Sequence, residues 1–323
     1  MSGNLVDNRS EIVFLYDVKD ANPNGDPMDE NKPRIDEETG INIVTDVRLK
    51  RTIRDYLHNF RGEDIFIIEE IKEDGTQKTR EERISDLKIE NKKDEIRLLE
   101  KYIDLRLFGA TIALTAKDRK SKGRSITWTG PVQFKFGRSL HRVEVKTIKG
   151  TSVMPSREEV TQGTFIETHI LPYSLIAFYG VINENAAKTT RLSENDVSLL
   201  MDGMWNGTKN LITRSKVGQT PRLLLRMIYK ENNYHIGDLD RKLKISSEKE
   251  DTEIRDISDL KVDITELIET LKTHKEKIDR IEYEVHDDVM FLYNGKEVKA
   301  SEIEDAVFKE LEIPVEYLGL NRM

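Results

Sequence analysis

INIVTDVRLKRTIRDYLHNF, residues 41–60, decides the fold of this 323-residue chain. Its first four residues are β-branched at alternate positions and read as a short strand. Thr45 then offers a cap for a helix over 46–60. Within that helix Leu49, Ile53, Tyr56, Leu57 and Phe60 recur at the spacing of one buried face. At 100° per residue Lys50, Arg51, Arg54 and Arg61 fall on the other side. The segment therefore predicts a strand followed by a helix that packs with one face and offers cations with the other.

Outward from it, EIVFLYDVK (11–19) is an apolar, β-branched strand that runs into NPNGDP (22–27), a dense turn signal. Downstream, IFIIEEI (65–71) reads as a further strand and 81–107 as mostly helical. SITWTGPVQFKF (125–136) is strand-like, interrupted at Gly130-Pro131, and 137–163 is a basic, polar projecting loop or hairpin. THILPYSLIAFYGVI (168–182) is the most apolar stretch and predicts a central strand. Ser193 with Asp196 forms a capping box that opens a helix over 193–212, and 221–230 is a strand. Beyond it a helix near 263–278, strands near 281–293 and a helix near 301–311 are expected. Stripped of insertions the order is βαββαβ. That predicts an α+β chain with a ferredoxin-like core, the pattern shared by RNA-recognition modules.

The chain carries a formal charge of −8, which by itself disfavours a nucleic-acid partner. The distribution reverses that reading. Residues 48–61 sum to +4, 117–149 to +8 and 205–230 to +6, whereas everything from 231 onward sums to −11. Segregation of this kind points to a groove for a polyanion, single-stranded RNA above all. The competing reading is three solvated faces. Lys135, Arg138 and Arg142 lie in the second stretch, beside Phe134, Phe136 and Trp128, which could stack bases or belong to the core. There is no cysteine, which excludes disulfides and cysteine-ligated zinc. No apolar run approaches the roughly 20 residues that span a bilayer, and the first residues lack a signal-peptide pattern. A cytoplasmic protein without membrane partners is expected.

Catalytic motifs are scarce. Asp20 to Asp26 mimics the start of a calcium loop, but position 12 is Asn31, and a rigid turn explains it better. The six histidines show no metal-ligand spacing, and no phosphate-binding glycine loop or nucleophile elbow occurs. Asp17, Asp20, Asp26 and Asp29 cluster near the first strand, where two could hold a divalent metal; a solvated turn is the alternative.

Several long strings, in order, carry a resemblance. They are EIVFLYDVKDANPNGDP (11–27), PRIDEETGINIVTDVRLKRTIRDYL (33–57), DLRLFGA (104–110), TGPVQFKFGRSLH (129–141) and NGTKNLITRSKVGQTPRLLLRMIY (206–229). Together they are similar to the backbone subunit of the type I Cascade complexes of CRISPR systems, the Cas-seven family, and most resemble its subtype I-B branch. The resemblance implies a hand: residues 1–62 and 164–240 as palm, 63–136 as fingers, 137–163 as a thumb hairpin, and 241–323 as an acidic extension packed on the palm. It implies copies of the chain in a helical filament on a CRISPR RNA, pairing of that guide with target DNA, other Cascade subunits as partners, and no catalysis or cofactor. The expected RNA contacts are Arg48, Lys50, Arg51 and Arg54 on the helix; Arg214, Lys216 and Gln219 in the 213–220 loop; Lys135, Arg138 and Arg142; Asn22 and Asn24, which shape the groove; and Met154, as a wedge beside a flipped base or as ordinary packing. In related type III complexes the equivalent subunit cuts RNA with a loop aspartate, and Asp26 or Asp29 occupies the corresponding region.

Overall fold

The structure, a computed structural model, describes residues 4–85, 87, 89, 92–114, 124–151 and 165–320. Its frame is one mixed, ten-stranded sheet. The elements used below are, in chain order, β1 (Ser10–Ala21), β2 (Ile41–Val44), α1 (Asp46–Arg61), α2 (Ile103–Phe108), β3 (Gly137–Arg142), β4 (Lys146–Thr151), β5 (Phe165–Ile182), α3 (Glu194–Lys209), β6 (Gln219–Tyr229), β7 (Ile278–Val285) and β8 (Val315–Tyr317). Across the sheet they run β8–β7–β6–β1–β5–β3–β2, with the two-residue strand Ile35–Asp36 at the far edge. β1 is antiparallel to both neighbours, with Phe14 opposite Phe178 of β5 and Leu224 of β6.

β1 reads as a continuous apolar run because both its faces are covered. Ile12, Phe14, Tyr16 and Val18 point to one core, built with Leu49, Ile53 and Leu57 of α1 and Val197, Leu200, Met204 and Trp205 of α3. Val13 and Leu15 point to the other, built with Leu239, Ile257, Leu267, Ile268 and Phe291 of the C-terminal region. The acidic segment after 231 is thus a second layer over the sheet. Its attachment centres on Glu11, fully buried on β1. The Glu11 carboxylate accepts from the hydroxyls of Tyr179 and Tyr229 and from the backbone N–H groups of Ile236 and Gly237, the latter two at 2.8 Å.

Two glycines of α3 face α1. A Cβ at Gly203 would sit 3.0 Å from Ile53, and one at Gly207 3.0 Å from the Cβ of Tyr56. The capping box at Ser193 and Asp196 forms as expected. Asp196 also takes two bonds from the buried Arg106 of α2, at 3.0 and 2.7 Å, tying the insertion to the head of α3.

Two local expectations fail for identifiable reasons. Residues 65–71 are not a strand. The Asp104 carboxylate accepts the N–H groups of Phe66 and Ile67, and the Arg83 guanidinium donates to the carbonyls of Ile65 and Ile68. Side chains from the insertion satisfy backbone groups that a neighbouring strand would otherwise take. Residues 137–142 do not project either: β3 is woven between β5 and β2. The antiparallel pair off the main strand order is formed by β4 and the first third of β5, with Lys146 opposite Ile170.

Candidate nucleic-acid interface

Two of the three basic stretches meet at the end of the sheet where β1 runs into the 22–31 turn. Arg48 enters from the first turns of α1 and Lys216 from the loop between α3 and β6. The loop is pinned to β1 on both sides: Lys19 N–H donates to the Gly218 carbonyl at 3.1 Å, and Asn22 N–H to the Ser215 carbonyl at 2.8 Å. Gly218 has φ +93°, and a Cβ there would stand 2.7 Å from the Lys19 carbonyl oxygen. The glycine is needed for this approach to β1.

Lys216 Nζ donates to the Asn22 carbonyl at 2.6 Å. Arg48 donates to the Thr52 hydroxyl at 3.0 Å. Among the described residues neither cation forms a salt bridge with a carboxylate. Burial, and then the neighbouring Arg48 charge, push the Lys216 amine down to about 8 from the ordinary 10.5. Burial likewise lowers the Arg48 guanidinium, partly offset by Asp55. Beside them Arg48 Nε, Gln219 Nε2 and Asn22 Oδ1 are buried without a hydrogen-bond partner among the described residues, an arrangement that costs stability and calls for an explanation. An anion placed between them would offset the like-charge repulsion. Arg214, exposed on the same loop and without an ion pair among the described residues, extends the positive surface.

Lys216 therefore carries a pH signature. Its folded pKa lies below that of a free lysine, so its charge is unfavourable in the unliganded fold and is shed as pH rises through about 8. A phosphate favours the charged form. Affinity for a polyanion is expected to fall between pH 8 and 10 in the parent and to stay nearly flat over that window in Lys216→Arg, as measured by fluorescence anisotropy with a labelled single-stranded RNA.

The other expected contacts are distributed differently. Lys50 and Arg54 are buried, which corrects the expectation that this face of α1 is open. Phe108 of α2 covers them, its ring centre 5.6 Å from Lys50 Nζ and 4.9 Å from the Arg54 guanidinium. Lys50 bonds Asp46 and Gln133, and Arg54 bonds Asp104. Arg51 is exposed but held by both oxygens of Asp55. Lys135 lies against Tyr179 and bonds Asp238 and Asp240 of the C-terminal layer at 2.8 and 3.0 Å, away from the Arg48–Lys216 cluster. Arg138 and Arg142 are exposed on β3, Arg138 within 3.4 Å of Asp36. Met154 lies outside the described residues.

Asn22 and Asn24 prove to be internal brackets. Asn22 donates its amide to the Asn31 carbonyl, and Asn24 Oδ1 accepts from Thr45. Nothing in the sequence pattern flagged Thr45 as a partner of Asn24, or Asp104 and Arg106 as buried anchors. The only trace of the latter was charge inside the otherwise apolar DLRLFGA. The aspartates of the turn are engaged as well: Asp26 accepts from Arg34 at 2.5 Å, and Asp29 from Lys32 at 2.8 Å. Among the described residues no three His, Asp or Glu side chains are grouped to hold a metal. No helix there is long and apolar enough to cross a membrane.

Fold and site together define a mixed α+β protein whose large sheet gathers carboxylate-free cations at one end. The model of the family described as CRISPR-associated protein Cas7 matches residues 8–265, and the chain belongs to that family. A Haloferax volcanii protein described as "CRISPR-associated protein Cas7" is 38% identical over 296 residues, covering 85% of this chain and 86% of that one. Among solved structures, a chain of a "CRISPR RNA-guided surveillance complex, pre-nicking" superposes with a TM-score of 0.50 at 10% identity, covering 85% of this chain and 92% of that one. At that identity the likeness is one of fold. A chain of another "CRISPR RNA-guided surveillance complex" gives 0.46 at 15% identity, covering 86% and 88%.

Proposed function

We propose that this chain is the non-catalytic, CRISPR RNA-binding backbone subunit of a cytoplasmic type I Cascade complex, of subtype I-B, which multimerises along the guide beside other Cascade subunits and presents it for pairing with target DNA. The observation that carries the reading is the pair of cations, Arg48 and Lys216, brought together from distant stretches without a neutralising carboxylate. Such a site holds phosphates and leaves sequence to base pairing. Membership of the Cas7 family supports the same reading.

The strand order β6–β1–β5–β3, with α1 and α3 on one face, supports a ferredoxin-like palm drawn from 1–62 and 164–240. In an ordinary RNA-recognition module the opposite sheet face stacks bases. Here the C-terminal layer fills it, so the guide runs along the sheet's end and is held by backbone contacts. Residues 63–136 serve as fingers. The hairpin of β4 and β5, with Met154 between its strands in sequence, serves as thumb; its base lies nearer 146 than 137.

Protein purified from its host is expected to carry RNA and to release it steeply as salt rises. RNA-free protein with a flat salt response contradicts the proposal. The metal-dependent ribonuclease reading has no specific observation in its favour, since Asp26 and Asp29 are both ion-paired. Bound RNA should stay intact in magnesium; cleavage that Asp26→Ala abolishes would reinstate it.

A further inference from the structure

We infer that Asn24 is a positioning residue of the RNA grip: it clamps Thr45 at the head of α1, two residues from the Asn22 carbonyl that holds Lys216, and so fixes the spacing of Arg48 and Lys216 without touching RNA. The inference rests on the function proposed above and deepens it.

The geometry is unusual at one point. Thr45 stands at the N-cap of α1, where a threonine hydroxyl ordinarily accepts an N–H of the first turn. It accepts none here. Its hydroxyl donates instead to Asn24 Oδ1 at 2.9 Å, and its backbone N–H donates to the same oxygen at 2.8 Å. One carboxamide oxygen thus holds the residue from which α1 starts, and Arg48 follows three positions later, its N–H on the Thr45 carbonyl at 3.1 Å.

On the other side of Pro23, the backbone of Asn22 is used in both directions. Its N–H donates to Ser215 at 2.8 Å, and its carbonyl accepts Lys216 Nζ at 2.6 Å. Asn22 also spans the base of its own turn through Asn31 at 2.6 Å. The three residues Asn22-Pro23-Asn24 therefore join two elements about 170 residues apart in the chain. Proline fixes φ between the two anchor points and stiffens the bracket. Two cations held close together repel each other. Without a rigid brace they would separate, and their joint fit to successive phosphates would be lost.

The test is a cycle of Asn24→Ala, Thr45→Val and the double variant, read as affinity for a labelled single-stranded RNA over a range of salt, well below the melting temperature of each. Thr45→Val, which removes the hydroxyl bond and keeps the backbone one, should bind about tenfold more weakly, the scale of one lost hydrogen bond, and Asn24→Ala, which removes both bonds, should bind at least as weakly. The double variant should bind no worse than Asn24→Ala, because the bond lost in Thr45→Val is one of the two already lost there. The salt slope should remain that of the parent, because every cation is still present. Thr45→Ser keeps both donors and should restore parental binding; if Asn24→Ala fails to fold, the comparison of Thr45→Val with Thr45→Ser decides alone.

Parental affinity in Asn24→Ala, additive losses in the double variant, or a salt slope reduced by about one, the mark of a lost phosphate contact, each overturns the positioning role. A parent that binds no RNA overturns the proposed function itself, a result distinguishable from the first three.

Discussion

Arg48→Gln combined with Lys216→Gln should strip the protein of RNA. The two side chains come from different basic stretches, form no salt bridge with a carboxylate among the described residues, and the Arg48 charge disfavours that of Lys216 in the free protein. Each is expected to neutralise one phosphate, so the slope of log affinity against log salt should fall by about two in the double variant. At physiological salt the loss should be on the order of 100-fold. Neutral glutamines are preferable to charge reversal, because both positions are largely enclosed and an uncompensated carboxylate there would also strain the fold. Removing the mutual repulsion should leave melting unchanged or slightly raised. Lys277→Gln, on the acidic layer and paired with Glu231, provides the control and should alter binding less than twofold. An Arg48/Lys216 variant that binds like the control would show that the guide lies elsewhere.

Glu11→Ala should cost more stability than any surface change in the chain. The substitution leaves two buried tyrosine hydroxyls and two backbone N–H groups, of Ile236 and Gly237, without their acceptor. One orphaned buried group costs about 1–3 kcal/mol, and breaking a buried charged network about 3–5 kcal/mol. A total near 4 kcal/mol, or roughly 6 °C in melting temperature for a chain of this size, is expected. Because Ile236 and Gly237 begin the C-terminal layer, the same variant should open the segment around 231–240 to limited proteolysis before the rest of the chain. A melting temperature within about 2 °C of the parent, with unchanged proteolysis, would mean that the layer is held by its apolar contacts alone.

Much of the frame was legible because it obeys simple periods. β1, α1, β5, α3 and β6 each announced themselves through an apolar, β-branched run, a 3.6-residue stripe or a capping box, and the structure sets them within a few residues of expectation. The failures share one physical cause: groups far apart in the chain decide the outcome. IFIIEEI has every local mark of a strand, yet Asp104 and Arg83 take its backbone groups. A helical wheel sets Lys50 and Arg54 on a polar face, but it cannot show that Phe108 folds over them. Lys135 looked like part of a basic groove until the aspartates at 238 and 240 claimed it. The candidate site was half legible. Charge segregation marked the stretches that contain Arg48 and Lys216, whereas their meeting, and the Asn22–Asn24 bracket between them, exist only in three dimensions.

The central claim is that copies of this chain assemble along one RNA, and native mass spectrometry tests it most directly. Complexes assembled on guides of stepwise increasing length should gain mass in whole subunits together with the added nucleotides, with one RNA per particle. A single copy at every guide length, or particles without RNA, would contradict the account.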